Sequence, residues 1–133
     1  ICAGTLPVYY LFPNIIFMPT QEGAFLVQEY PLENSPHKSV SKISFYFYPH
    51  VLEHVKQLEK QGINGKELLQ QQYNGFASVI RDEDYVAAAS SHKGLKSGNI
   101  DYLTFGKNEP ALHHYHNTYR EALGLQSLPL EEA

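Results

Sequence analysis

The chain has 133 residues, 43% apolar and 13% aromatic, with a formal charge of -4. That length makes one domain or part of one and can bury a core, and the composition is globular rather than disordered. Net negative charge argues against nucleic acid as a partner, and no apolar run approaches the roughly 18 residues that cross a membrane.

The chain opens on Ile1-Cys2-Ala3-Gly4, which lacks an initiating Met and does not read as a signal peptide, so it is read as truncated or processed. Cys2 is the single cysteine and has no basic pattern beside it; it reads as inert, forms no internal disulfide and fits a cytoplasmic location. Thr5–Phe12 is rich in β-branched and aromatic residues and predicts a strand, punctuated by Phe12-Pro13-Asn14 because Pro13 cannot donate to a ladder. Ile15–Met18 resumes it, Pro19–Gly23 reads as a turn, Ala24–Tyr30 as a further strand and Glu33–Pro36 as a loop. Within Ser39–Tyr48, Ile43, Phe45 and Phe47 alternate with Lys42, Ser44 and Tyr46, the pattern of a half-buried strand. Strands joined by short links favour antiparallel pairing.

The pattern changes at Pro49. Val51, Leu52, Val55 and Leu58 recur at helical spacing, with Gly62 as the stop. Lys66–Ser78 predicts a second helix with Leu69, Tyr73 and Phe76 on one stripe. Asp82 reads as the N-cap of a third helix running to His92 or Lys93 and stopped by Gly94. Asn108 caps a fourth, with Pro110 in its first turn and Gly124 at its end, and Gln126–Ala133 reads as a frayed tail. Strands at 5–48 followed by helices at 50–124 predict an α+β domain, with helices on one face of an antiparallel sheet.

Three clusters bear on chemistry. Asp82, Glu83 and Asp84 are placed as first-turn acids that oppose the positive end of a helix dipole. A carboxylate there is also rigidly aimed and can supply one oxygen to a metal ion. Ala87, Ala88, Ala89, Ser90 and Ser91 keep that helix thin, and Asp84, Ala88 and Ser91 share a face at i, i+4 and i+7, which leaves room for a substrate or for close helix packing. His50-Val51-Leu52-Glu53-His54 matches the H-x-x-E-H zinc signature, in which both His bind zinc and Glu acts as base. His113, His114 and His116 are spaced poorly for a shared ion and read as packed or surface histidines.

The chain from about Leu11 to Leu123 resembles the catalytic domain of Rieske non-haem iron oxygenases, the aromatic ring-hydroxylating oxygenase α subunits. Phe12-Pro13-Asn14-Ile15-Ile16, followed by Tyr30-Pro31-Leu32, is similar to that family's strand-turn segment. Val79–Asp84 followed by His92-Lys93-Gly94-Leu95-Lys96-Ser97-Gly98 resembles its acidic pair ending in Asp, followed by a Gln and a basic-Gly-Leu-basic-Ser-Gly run. Glu109–His116 resembles the start of its final helix.

The resemblance implies a helix-grip (pollen-allergen/START-like) fold, here incomplete at the N-terminal side. It implies a mononuclear Fe(II) held by two His and one Asp, with Asp84 as the metal and catalytic residue; helix phase alone makes Ala87, Ala88 and Ser91 candidates for the wall of the substrate pocket. It further implies a Rieske [2Fe-2S] cluster, electrons from NAD(P)H through a reductase and perhaps a ferredoxin, O2 and a small organic substrate, and a homotrimer. The sequence departs from the family in three ways: one cysteine cannot make the Rieske signature, none of the seven His matches the upstream iron-binding pair, and His92 stands where the Gln is usual. Residues 1–133 are therefore expected to be the C-terminal part of a larger catalytic domain, inactive alone and not binding iron tightly. Two other functions stay open: a non-enzymatic helix-grip module binding a small hydrophobic ligand, and a zinc hydrolase on His50, Glu53 and His54.

Overall fold

The computed structural model describes residues 5–129; Cys2 and the end of the expected tail lie outside that range. The chain divides into two units, Ile1–Ala89 and Ser90–Ala133.

In the first unit, β1 (Tyr9–Leu11), β2 (Ile15–Pro19), β3 (Gly23–Leu32) and β4 (Ser35–Phe47) pair antiparallel in chain order. The expected strand at Thr5–Phe12 shortens to β1. In the β1–β2 register Tyr9 faces Phe17, so continuing it would set Pro7 against Pro19, and neither can donate to a ladder. The expected loop at Glu33–Pro36 tightens to Glu33-Asn34, both in the left-handed region (φ 55° and 51°), which is the backbone of a two-residue hairpin turn. β4 consequently starts at Ser35, four residues before the predicted strand.

Alternation along the strands sorts side chains between two faces. Phe25, Val27 and Glu29 of β3 lie opposite Phe45, Ile43 and Ser41 of β4, while Met18 and Ile16 of β2 flank Phe25 and Val27. Helix α1 (Pro49–Lys60) follows, with Pro49 in its first turn, and ends at Gly62 (φ 81°). There Ile63 N–H donates to the Leu58 carbonyl and Gly62 N–H to that of Glu59, a Schellman stop. Helix α2 (Gly65–Val79) is capped by Asn64, whose side chain accepts from Glu67 N–H. Its Tyr73–Phe76–Ile80 stripe covers the sheet: the Phe76 ring lies 3.8 Å from that of Phe25, and the Tyr73 hydroxyl donates to the Ile43 carbonyl at 3.2 Å. Met18, Phe25, Val27 and Ile80 form the buried core. The opposite face leaves Tyr9, Leu11, Tyr30, Val40 and Tyr46 exposed.

The third helix does not start at Asp82. Helix α2 runs without interruption into a π-helical turn (Ile80–Asp84) and on into α3 (Tyr85–Lys96). No helix N-terminus exists here for the acids to cap, because the backbone amides at this point are bonded within the turn. Nor does Gly94 stop the helix; it ends at Lys96, with Gly98 in the left-handed region (φ 73°).

The second unit holds the end of α3, an irregular stretch and α4 (Pro110–Ala122). Glu109, not Asn108, is the N-cap residue of α4, and the Glu109 carboxylate accepts from Gly106 N–H at 2.7 Å. Gly124 ends α4 as expected. The tail is tied back rather than frayed over its described part: Leu128 N–H donates to Asn117 Oδ1 at 2.8 Å, and Arg120 Nε donates to the Gln126 carbonyl.

Candidate functional site

The π-turn grows out of the packed stripe. Ile80 is buried in the core, and its carbonyl accepts from Tyr85 N–H, five residues on. Such turns hold one residue more than an α-helical turn and recur at functional sites. Arg81 and Asp82 pair side by side, Nε to Oδ1 and Nη2 to Oδ2 both at 2.7 Å, and the bonded guanidinium holds the Asp82 carboxyl below the usual carboxylate range. Both side chains are exposed, so the pair adds little stability. Asp84 closes the turn, and its exposed carboxylate bonds to no other described side chain.

Tyr85, the next residue, crosses to the sheet. Its hydroxyl donates to Glu29 Oε1 at 3.1 Å. Glu29 is anchored from two further sides. Ser41, its partner in register, donates at 2.6 and 2.7 Å to the two carboxylate oxygens. Asn14 grips its backbone, Nδ2 donating to the Glu29 carbonyl at 2.8 Å while Glu29 N–H donates to the Asn14 carbonyl at 3.0 Å. The strand-turn segment and the residue after the acidic run, far apart in sequence, thus meet on one residue, Asn14 on the Glu29 backbone and Tyr85 on its carboxylate. Sequence reading missed Glu29 and Ser41. The available signal was an acid in the core-facing row Phe25–Val27–Glu29.

Partial burial pushes the Tyr85 phenol above its usual range; the negative charges of Glu29 and Asp84 push the same way, and the Ser41 hydroxyl opposes them. Below the ordinary tyrosine value of about 10 the phenol is protonated in folded and unfolded chains alike, and its contribution is fully present. As pH climbs through the higher folded value the unfolded chain ionises first and that contribution is lost. Urea midpoints are therefore expected to fall more steeply above about pH 10 for the native chain than for Tyr85→Phe. Equal slopes would remove the assignment.

The other predicted site residues are exposed. Ala87 and Ala88 follow Asp84 on α3, and Ser91 lies further along the same helix. His50, Glu53 and His54 are exposed on α1, and His50 stacks on Tyr48 at 5.8 Å between ring centres. In the second unit Phe105 takes His116 against its face (4.9 Å) and His113 at its edge (5.5 Å).

The ring hydroxylating alpha subunit (catalytic domain) family matches residues 4–125. The chain belongs to this family. No curated protein and no solved structure matches the chain. The match takes in Phe12-Pro13-Asn14, the acidic run and α4, and the four-stranded antiparallel sheet with helices is the α+β arrangement of the family's helix-grip domain.

The family implies non-haem iron and a Rieske cluster in the full-length protein. Asp84 has the chemistry of one iron ligand: an oxygen donor, exposed, on a turn held at both ends. Among the described residues, however, no three His, Cys, Asp or Glu side chains gather into a metal-holding group. Among the described residues no such group forms around Asp84 or around His50, Glu53 and His54. No helix among the described residues is long and apolar enough to cross a membrane.

Proposed function

We propose that residues 1–133 are the C-terminal part of the catalytic domain of a Rieske-type oxygenase that inserts oxygen from O2 into a small organic substrate of the aromatic class. Asp84 supplies the carboxylate to a mononuclear Fe(II), and two histidines come from polypeptide outside this chain. The observation that carries the reading is the family match over residues 4–125; the assignment of Asp84 rests on the likeness of the acidic run to the family's motif, and Asp84 closes a braced π-turn. When bound, the iron supplies oxygen activation. The residues of this chain aim one ligand, and Ala87, Ala88 and Ser91 keep the flank of α3 thin enough for a substrate. A Rieske [2Fe-2S] domain, a reductase fed by NAD(P)H with or without a ferredoxin, a homotrimeric assembly and a cytoplasmic setting complete the proposal.

The test uses the longest native polypeptide that contains this segment, purified without oxygen. Asp84→Ala is expected to lose the mononuclear iron while the visible and EPR signature of the Rieske cluster persists. Mononuclear iron retained in that variant would sink the reading.

One observation favours a second reading, a non-enzymatic binding module. An open cleft of about 510 Å³ lies between β4 and helices α1 and α2, with apolar walls from Ile43, Phe45, Phe47, Leu52, Leu69 and Tyr73 and polar ones from Ser44, Lys66 and Gln70. A native polypeptide that carries no iron and binds an apolar probe in this cleft would put that reading first.

A further inference from the structure

We propose that Glu29 and Tyr85 are positioning residues for Asp84, a strand-to-helix clamp that fixes the direction of its carboxylate. The geometry is that of a short segment fastened at both ends. On one side of Asp84 the chain is held by Ile80, buried among Met18, Phe25 and Val27. On the other side it is held by Tyr85, whose hydroxyl reaches Glu29 at 3.1 Å. Between these points lies a π-turn, a single-turn departure from α-helical geometry. The turn's outward side chains do not brace it: Arg81 and Asp82 bond to each other.

Glu29 is suited to this role by its own fixation. Ser41 occupies both of its carboxylate oxygens, and Asn14 bonds its backbone on both the N–H and the carbonyl. The phenol is thus tied to a carboxylate that is itself bonded on both oxygens. A ligand residue held to a fraction of an ångström needs supporting side chains of this kind. The consequence for iron rests on the proposed role of Asp84; the clamp itself does not.

Two experiments separate the two. Amide hydrogen exchange on this chain reads the clamp directly. Tyr85→Phe and Glu29→Ala are expected to speed exchange at Glu83–Val86 by about tenfold, with the β3 amides of Phe25 and Val27 unchanged as a folding control. Glu29→Gln, which keeps an acceptor oxygen, is expected to restore most of the protection. Unchanged exchange at Glu83–Val86 in Tyr85→Phe would overturn the clamp. Iron then reads the positioning. In the iron-loaded native polypeptide, Tyr85→Phe is expected to weaken mononuclear Fe(II) binding by about tenfold, with the Rieske spectrum intact. Faster exchange with undiminished iron affinity would reduce the clamp to a structural contact and overturn the positioning role. Iron retained in Asp84→Ala would instead remove the proposed function, and the clamp would then stand or fall on exchange alone.

Discussion

Phe25→Ala is expected to cost about 3–5 kcal/mol of folding stability. The ring is 5% exposed and is sandwiched between two others, Phe45 at 4.0 Å and Phe76 at 3.8 Å between centres. It joins β3 to both β4 and α2, so its removal opens a cavity that neither layer can close alone. Stacked aromatic pairs add about 0.5–1.5 kcal/mol beyond buried area. The core is small, with Met18, Val27 and Ile80 the other buried members of the cluster. Against a typical total of about 5–15 kcal/mol, the loss should shift the urea midpoint sharply downward. A loss below about 1 kcal/mol would show that helix α2 does not depend on this contact.

Gly23→Ala is expected to destabilise by about 2–3 kcal/mol, through crowding rather than through a cavity. A Cβ on Gly23 would lie 1.9 Å from the Tyr46 carbonyl oxygen, a backbone atom that cannot swing aside. Gly23 opens β3 opposite Phe47, where β4 is about to turn into α1, and Tyr48 N–H donates to the Glu22 carbonyl at 2.9 Å. Making room therefore means unpairing the end of the hairpin and loosening the entry to the helix. Gly62 makes the control: its φ of 81° is unfavourable for alanine, but nothing lies near enough to clash. Gly62→Ala should cost about 1–2 kcal/mol, the ordinary left-handed penalty. Urea denaturation of both variants checks the order, and a reversed order would contradict the packing at Gly23.

What could be read from sequence divides along the range of the interactions. β4 was legible because Ile43, Phe45 and Phe47 alternate, and α1 because its apolar spacing ends at Gly62. Both signals are local. The start of β4 was misplaced because Glu33 and Asn34 both adopt φ values that few residues favour, and that compresses a loop into a tight turn. The acidic run was mistaken for a helix start because charge after an apolar stripe normally marks a boundary. A π-turn carries no comparable composition and is set by what the flanking residues dock against. Asp84 was singled out through motif resemblance. Glu29 was not, since a strand register and a helix far downstream decide that Ser41 and Tyr85 converge on it.

The π-turn also makes the length of this segment matter more than its letters. An α-helical turn closes with one residue fewer than this π-turn, so a single deletion has an outlet, relaxation to a regular helix with its flanks nearly in place. Deleting Glu83 would leave Tyr85 on the side of Ile80 that faces the sheet. An insertion has no such outlet: at about 100° per residue it would rotate all that follows on α3 and carry Tyr85 away from Glu29. Substitutions at the outward positions Arg81, Asp82 and Glu83 should be absorbed quietly, whereas an insertion there should behave as a frameshift in three dimensions.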